Sequence, residues 1–177
     1  ESYLGLPQRQ GLTELLRGTC PMDRAIRQTS ANNVWLLGPG ELPQNSSELI
    51  GSERMRTLIA QFKQRYTYIL IDTPPSLGLL TLNALVAADA VLVPLHCEYF
   101  ALEGLAVITR VLQQIRDSGA NPSLELEGIV LTMYDARTNL AQQVAGEVRK
   151  HFPDKVFKTV VPRTVRLAEA PSFGKPI

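Results

Sequence analysis

The chain has 177 residues, 45% hydrophobic and 20% charged, and its 18 Lys+Arg against 17 Asp+Glu leave a formal net charge of +1. This composition supports a domain-sized apolar core and excludes a disordered tail. A charge so nearly balanced also excludes a protein that coats nucleic acid through overall basicity, so any such contact must be local.

Cys20 and Cys97 are far apart and belong to no Cys-x-x-Cys or Cys/His ligand pattern, which fits reduced thiols rather than a disulfide or a zinc site. No apolar run approaches the roughly 18–20 residues that span a bilayer, and the start has no signal-peptide form. A soluble, intracellular protein is expected. Gly and Pro are spread along the chain rather than gathered into a linker, so residues 1–177 read as one domain. The chain starts at Glu1 and stops on a loop-like Ser172–Ile177 segment, and it reads as a piece of a longer protein.

In chain order, Thr13–Arg17 reads as a short helix ended by Gly18, and Met22–Gln28 as a second, begun by Pro21 at a first-turn position. Val34–Leu37 is a short apolar run bounded by Asn33 and Gly38-Pro39, which suits a strand. Ser52–Gln64 sets Met55, Leu58, Ile59 and Phe62 at helical spacing. Tyr68–Ile71 is a continuous apolar, β-rich run that stops at Asp72 and is followed by Thr73-Pro74-Pro75, and it reads as a buried strand ending at an acid. Leu79–Ala88 is a predicted helix, Val91–Leu95 a strand, and Leu102–Arg116 a long helix with Leu105, Ile108, Leu112 and Ile115 on one face. Leu126–Met133 comes next as a strand, then Leu140–His151 as a helix, and Val156–Val161 as a strand closed by Pro162.

Apolar strands alternating with amphipathic helices predict an α/β fold with a mostly parallel sheet covered on both faces. In such sheets ligands lie beyond the carboxyl ends of the strands. The loops Asp72–Ser76, His96–Glu103, Tyr134–Asn139 and Pro162–Arg166 are therefore the ones to inspect.

Asp72 is the sharpest single signal, because an acid at the end of a buried strand is what a nucleotide hydrolase uses to hold Mg²⁺, usually through water. An Asp there can equally cap the next helix, and the pattern alone leaves both readings open. The two prolines favour the first, since they fix the loop where a γ-phosphate would be sensed. His96 and Cys97 lack an acid or oxyanion loop for a catalytic pair, and Ser76 lies in no nucleophile elbow.

Four blocks, Tyr68–Leu85 around Ile71-Asp72-Thr73-Pro74-Pro75, Val93–Leu105, Leu131–Leu140 and Val161–Ile177, resemble in order and spacing the ParA/Soj chromosome- and plasmid-partitioning ATPases. The resemblance implies a P-loop NTPase-like fold related to MinD with its first strands missing. Residues 1–65 would lie between switch I and Walker B, and 66–177 would run from Walker B to the adenine and DNA-contact loops. It further implies a cytoplasmic, nucleoid-associated ATPase that uses ATP and Mg²⁺, forms an ATP-bound homodimer, binds DNA without sequence preference and is stimulated by a ParB-type partner.

Carried onto this chain, Asp72 matches the Walker B acid that supports Mg²⁺, and Pro74, Pro75 and Ser76 match the loop that responds to nucleotide state. Glu98, Tyr99, Phe100 and Glu103 fall on part of the family's dimer-facing surface, and Met133, Pro162 and Arg163 on loops bordering the adenine. Arg137 and Arg166 match DNA-contacting positions. A guanidinium can hold a phosphate oxygen pair in a fixed fork, and such contacts give affinity without reading sequence. Either arginine taken alone would be an ordinary solvated charge.

The chain departs from the family in two places. Thr164 stands where the family usually has Asn, which puts a side-chain amide contact to the base in doubt. No Gly-x-x-x-x-Gly-Lys-[Ser/Thr] occurs in the 177 residues, although ATP binding needs that loop around the phosphates. The Glu1–Leu6 and Gly11–Leu16 strings resemble the family's stretch just after the missing strand. The expectation is that the segment alone, lacking a strand beside Tyr68–Ile71, is unstable and without ATPase activity. Two other readings stand beside it: a MinD-like positioning ATPase acting on a membrane or protein cluster, and a non-catalytic dimerisation or adaptor module.

Overall fold

A computed structural model describes residues 10–44 and 46–173. The Glu1–Leu6 string and the Gly174–Ile177 end of the last block lie outside the described residues. The elements in chain order are α1 (Leu12–Arg17), α2 (Met22–Ala25), β1 (Ile26–Gln28), β2 (Trp35–Leu37), α3 (Ser46–Ile50), α4 (Glu53–Arg65), α5 (Leu79–Ala87), β3 (Ala90–His96), α6 (Ala101–Asp117), β4 (Glu125–Tyr134), α7 (Asn139–His151), β5 (Val156–Pro162) and α8 (Val165–Glu169). They divide into two compact units, one from the residues up to Leu70 together with those from Val165 onward, the other from Ile71–Thr164.

In the first unit α1 is held at its start by Glu14, whose carboxylate accepts the backbone N–H of Gly11 at 2.6 Å and of Glu41 at 3.1 Å. Burial pushes this carboxyl up, but the backbone hydrogen bonds outweigh it and its pKa is lowered. Gly11 is packed so close to the Gly38 carbonyl that a Cβ would collide with it. Gly18, in the left-handed region at φ 75°, ends the helix. Helix α4 starts on Ser52, whose hydroxyl accepts from Met55 N–H, and buries Leu58 and Phe62 against Leu16 of α1.

The predicted helix over Met22–Gln28 is only half correct. The helix ends at Ala25, Ile26 turns extended at φ −90° and ψ 130°, and Ile26–Gln28 pairs antiparallel with Trp35–Leu37, Ile26 opposite Leu37. Asn33, at φ 59°, lies in the turn between them. Ile26 and Leu37 both pack on the Leu16, Leu58 and Phe62 cluster, so burying them together outweighs continuing the helix.

The second unit is built on a parallel sheet in the order β3-β4-β5, with Val93 opposite Ile129, Leu95 opposite Leu131 and Tyr134 opposite Pro162. Val93 and Leu95 share one face of β3 with Ile129 and Leu131 of β4, and α6 and α7 cover that face with Leu105, Val144 and Val148. Leu112, Ile115 and Leu124 form a second cluster against Leu82 and Leu85 of α5. The Asn121 side-chain amide closes the end of α5 by donating to the carbonyls of Leu85 at 3.0 Å and Ala88 at 2.8 Å. At Gly128 a Cβ would run into the Phe157 ring and the Lys155 carbonyl, so glycine is what lets β5 approach β4 there. Coverage on both faces was expected; among the described residues Leu92 and Pro94, on the opposite face of β3, are exposed.

The predicted strand Tyr68–Ile71 does not form. The segment joins no ladder among the described residues, and Tyr68 and Leu70 are 84% and 89% exposed. A strand exists through its neighbour's hydrogen bonds. Neither the β1-β2 pair nor the β3-β4-β5 sheet takes the run as a hydrogen-bonded member.

Candidate functional site

The candidate site lies in the second unit, beyond the carboxyl ends of β3, β4 and β5. Two backbone hydrogen bonds gather three of the four loops there. Cys97 N–H donates to the Thr132 carbonyl at 3.3 Å, joining the loop after β3 to β4, and Arg163 N–H donates to the Tyr134 carbonyl at 2.9 Å, joining the loop after β5 to the loop after β4. This edge therefore collects Glu98, Tyr99, Phe100, Met133, Arg137, Pro162 and Arg163. Arg166 is exposed on α8, in the first unit.

In the loop after β3, Glu98 N–H donates back to His96 and Ala101 N–H to Glu98, forming a tight turn into α6. Tyr99 and Phe100 stand out from it, 76% and 70% exposed, in an edge-to-face pair with ring centroids 5.1 Å apart. Glu103 is exposed in the first turn of α6. Cys97 points the other way, into the core. Burial pushes its thiol pKa up, with Arg149 pulling modestly down, which makes the thiolate harder to form and supports reading it as a packing residue.

Met133 holds a backbone φ of 52°, in the left-handed region, at the end of β4. Beside it Thr132 Oγ1 is buried with no hydrogen-bond partner among the described residues. The next loop is tightly specified. Asp135 Oδ1 accepts from Arg137 N–H at 3.0 Å and from Arg137 Nε at 2.9 Å, and Oδ2 accepts from Arg137 Nη2 at 2.7 Å. The Thr138 hydroxyl donates to the Asp135 carbonyl and accepts from Ala141 N–H, capping α7, while the Gln142 side-chain amide donates to the Ala136 carbonyl at 2.7 Å. The hydrogen bonds from the Arg137 side chain, then its backbone N–H, outweigh a small desolvation and hold the Asp135 carboxyl at about 2, with the Arg137 and Arg163 charges adding to the effect.

Asp72 and the following Pro74, Pro75 and Ser76 are exposed, on a loop rather than at the end of a buried strand. The loop is tied instead to α5: the buried Thr81 hydroxyl donates to the Ser76 carbonyl at 2.7 Å, with the Pro74 carbonyl at 3.3 Å. Thr81 and Asp135 are the residues that the motif reading passed over. A hydroxyl in the first turn of a largely apolar helix is the sequence signal for the first, and Asp two residues before Arg, the spacing of an Asx turn, for the second.

The donors present suit a nucleotide with Mg²⁺ in part. Asp72 and Ser76 offer hard oxygen atoms on one loop, the kind of sparse protein contribution Mg²⁺ accepts while keeping water and phosphate ligands. Among the described residues no cluster of three or more His, Cys, Asp or Glu forms a metal cage. Met133 and Pro162 offer apolar flanks at the sheet edge, and the 177 residues hold no glycine-lysine phosphate loop.

The AAA domain family matches residues 7–126. The chain is 46% identical over 178 residues to the chromosome partitioning protein ParA of Caulobacter vibrioides, across 96% of this chain and 66% of that protein. It is 44% identical over 181 residues to the chromosome-partitioning ATPase Soj of Treponema pallidum, across 99% of this chain and 71% of that protein. The chain belongs to the ParA/Soj family of chromosome-partitioning ATPases. It spans less than two thirds of the Caulobacter relative's length. Among solved structures, cobyrinic acid a,c-diamide synthase from Mycobacterium smegmatis with bound ADP and magnesium superposes at a TM-score of 0.73 and 30% identity, covering 97% of this chain and 73% of that one. The Pyrococcus furiosus cell division ATPase MinD matches at a TM-score of 0.73 and 23% identity, over 98% of this chain and 69% of that one, and shares the fold. The ParA/Soj chain is thus of P-loop NTPase type. No helix among its described residues is long and apolar enough to cross a membrane.

Proposed function

We propose that this chain is part of an ATPase that segregates chromosomes or plasmids, residues 1–65 lying between switch I and Walker B and 66–177 running from Walker B to the adenine and DNA-contact loops. With ATP and Mg²⁺ it forms a homodimer, binds DNA without sequence preference in the cytoplasm at the nucleoid, and is released when a ParB-type partner stimulates hydrolysis. Asp72 supports the Mg²⁺, Pro74, Pro75 and Ser76 respond to the nucleotide state, and Met133, Pro162 and Arg163 border the adenine. Glu98, Tyr99, Phe100 and Glu103 contribute to the dimer face, and Arg137 and Arg166 contact DNA phosphates. The observation that carries this reading is the 46% identity to Caulobacter ParA across 96% of the chain.

The test is Asp72→Asn in the full-length protein. ATP turnover is expected to fall on the order of a hundredfold, because a metal that neutralises the transferring phosphate loses its acid, while a fluorescent ATP analogue still binds. Turnover equal to that of the unsubstituted protein would reject the role of Asp72.

A further inference from the structure

The loop after β4 places a carboxylate against an arginine in a way that an ordinary surface ion pair does not. Exposed pairs between flexible side chains contribute little, because holding both in one geometry costs entropy and solvent screens the charges. Here the Asp135 carboxylate meets Arg137 through both oxygens, Nε at 2.9 Å on one and Nη2 at 2.7 Å on the other, and takes the Arg137 backbone N–H as well. The carboxylate end is fixed in turn. Thr138 N–H and hydroxyl both reach the Asp135 carbonyl, and the neighbouring Tyr134 carbonyl holds Arg163 N–H. The Arg137 side chain nevertheless remains 88% exposed.

The stereochemistry of guanidinium gives this arrangement a use. The group has a side-on edge, Nε with one N–H of Nη2, and an end-on edge formed by Nη1 and the other N–H of Nη2, and each edge can grip two oxygens. Asp135 occupies the side-on edge. The end-on edge is turned away from the carboxylate and matches the oxygen pair of a phosphodiester.

We propose that Asp135 is a positioning residue, holding Arg137 side-on so that its end-on edge is presented to a nucleic-acid phosphate. The inference rests on the proposed DNA-binding function and adds to it the residue that orients the contact. Asp135 stays ionised far below any pH at which DNA binding would be measured, so the grip persists throughout. Its acidic charge makes the idea sharply testable. Taken as a charge alone, Asp135 repels a polyanion, and removing it should strengthen binding; taken as a positioning residue, removing it should weaken binding.

The experiment uses the full-length protein with ATP and a random-sequence DNA duplex, titrated at several salt concentrations. Asp135→Asn keeps an oxygen for the Arg137 backbone N–H, and so preserves the turn, but removes the two-oxygen anionic grip. Affinity is expected to drop about three- to tenfold, and the slope of log affinity against log salt to fall by about one counterion. Arg137→Lys keeps the charge but cannot be held by the fork, so Asp135→Asn added to Arg137→Lys should cause no further loss. Unchanged or tighter DNA binding by Asp135→Asn, or an equal loss on the Arg137→Lys background, overturns the positioning role. If the unsubstituted protein fails to bind DNA, the proposed function itself fails, which this titration shows before any variant is compared.

Discussion

The loop Tyr134–Asn139 and the loop Asp72–Gly78 both come after apolar runs and both carry proposed site residues, yet they are held very differently. The first leaves β4, a strand paired on both sides, and is closed by Asp135, Thr138, Gln142 and the Arg163 backbone. The second leaves Tyr68–Ile71, which pairs with no described strand, and Thr81 supplies its anchor from one side. A loop inherits its precision from the strand it leaves. Where the ladder is complete the side chains are oriented before any ligand arrives; where it is absent the same kind of apolar segment keeps only Ile69 packed on a core cluster, while Tyr68, Leu70 and the acid that follows are left exposed.

The largest expected effect tests that contrast at the level of the strands. Leu131→Ala, at a wholly buried position of β4, should cost about 3 kcal/mol in urea unfolding, whereas Leu70→Ala in this 177-residue chain should stay within about 0.5 kcal/mol. In a full-length protein that sets a strand beside Tyr68–Ile71, Leu70→Ala should instead cost about 2–5 kcal/mol. Equal small costs in the two polypeptides would break the comparison.

A smaller effect is expected at Thr81. Thr81→Val keeps the side-chain volume but leaves the Ser76 carbonyl without its hydroxyl, at a cost of about 1 kcal/mol. Backbone amides from Ser76 to Thr81 should then exchange with deuterium faster, with those of Arg137–Ala141 unchanged. Faster exchange in both loops would mean that they are not independently held.

The smallest effect is a titration. Because the folded Asp135 carboxyl lies at about 2, below an unfolded value of about 3.9, its contribution is complete above the unfolded value and fades as pH falls toward the folded one. Carboxyl carbon resonances should show Asp135 still ionised at about pH 3, and Arg137→Ala should move its midpoint upward. A midpoint unmoved by that substitution would detach the carboxylate from the arginine.

Much of this molecule could be read from side-chain spacing. The faces of α4 and α6 came from the 3.6-residue period, and Leu58, Phe62, Leu105, Leu112 and Ile115 are buried as that period requires. The strands β3, β4 and β5 came from short stretches rich in Val, Ile, Leu and Phe, interrupted in β4 by Glu127 and in β5 by Lys158 and Thr159. What escaped depends on distant partners or on short pieces. Ile26 leaves the helix because Leu37, eleven positions on, offers both a ladder and a core contact. Helices α3 and α8, with five residues each, are too short to show a period. Tyr68–Ile71 has a strand's composition but lacks a described neighbour, and composition does not encode the neighbour. At the site, the family blocks indicated the residue types, but the Asp135 grip on Arg137 and the Thr81 anchor emerge only once the loops close on themselves.

The left-handed backbone at Met133 has a consequence for how this surface can diverge. Any residue with a Cβ is strained in that region by roughly 1–2 kcal/mol, and a branched Cβ is an outlier there, so Val, Ile and Thr are disfavoured, while Gly and Asn fit with ease. Mutational drift at the position should therefore run among unbranched or small side chains, which vary in reach and polarity but leave the chain's path intact.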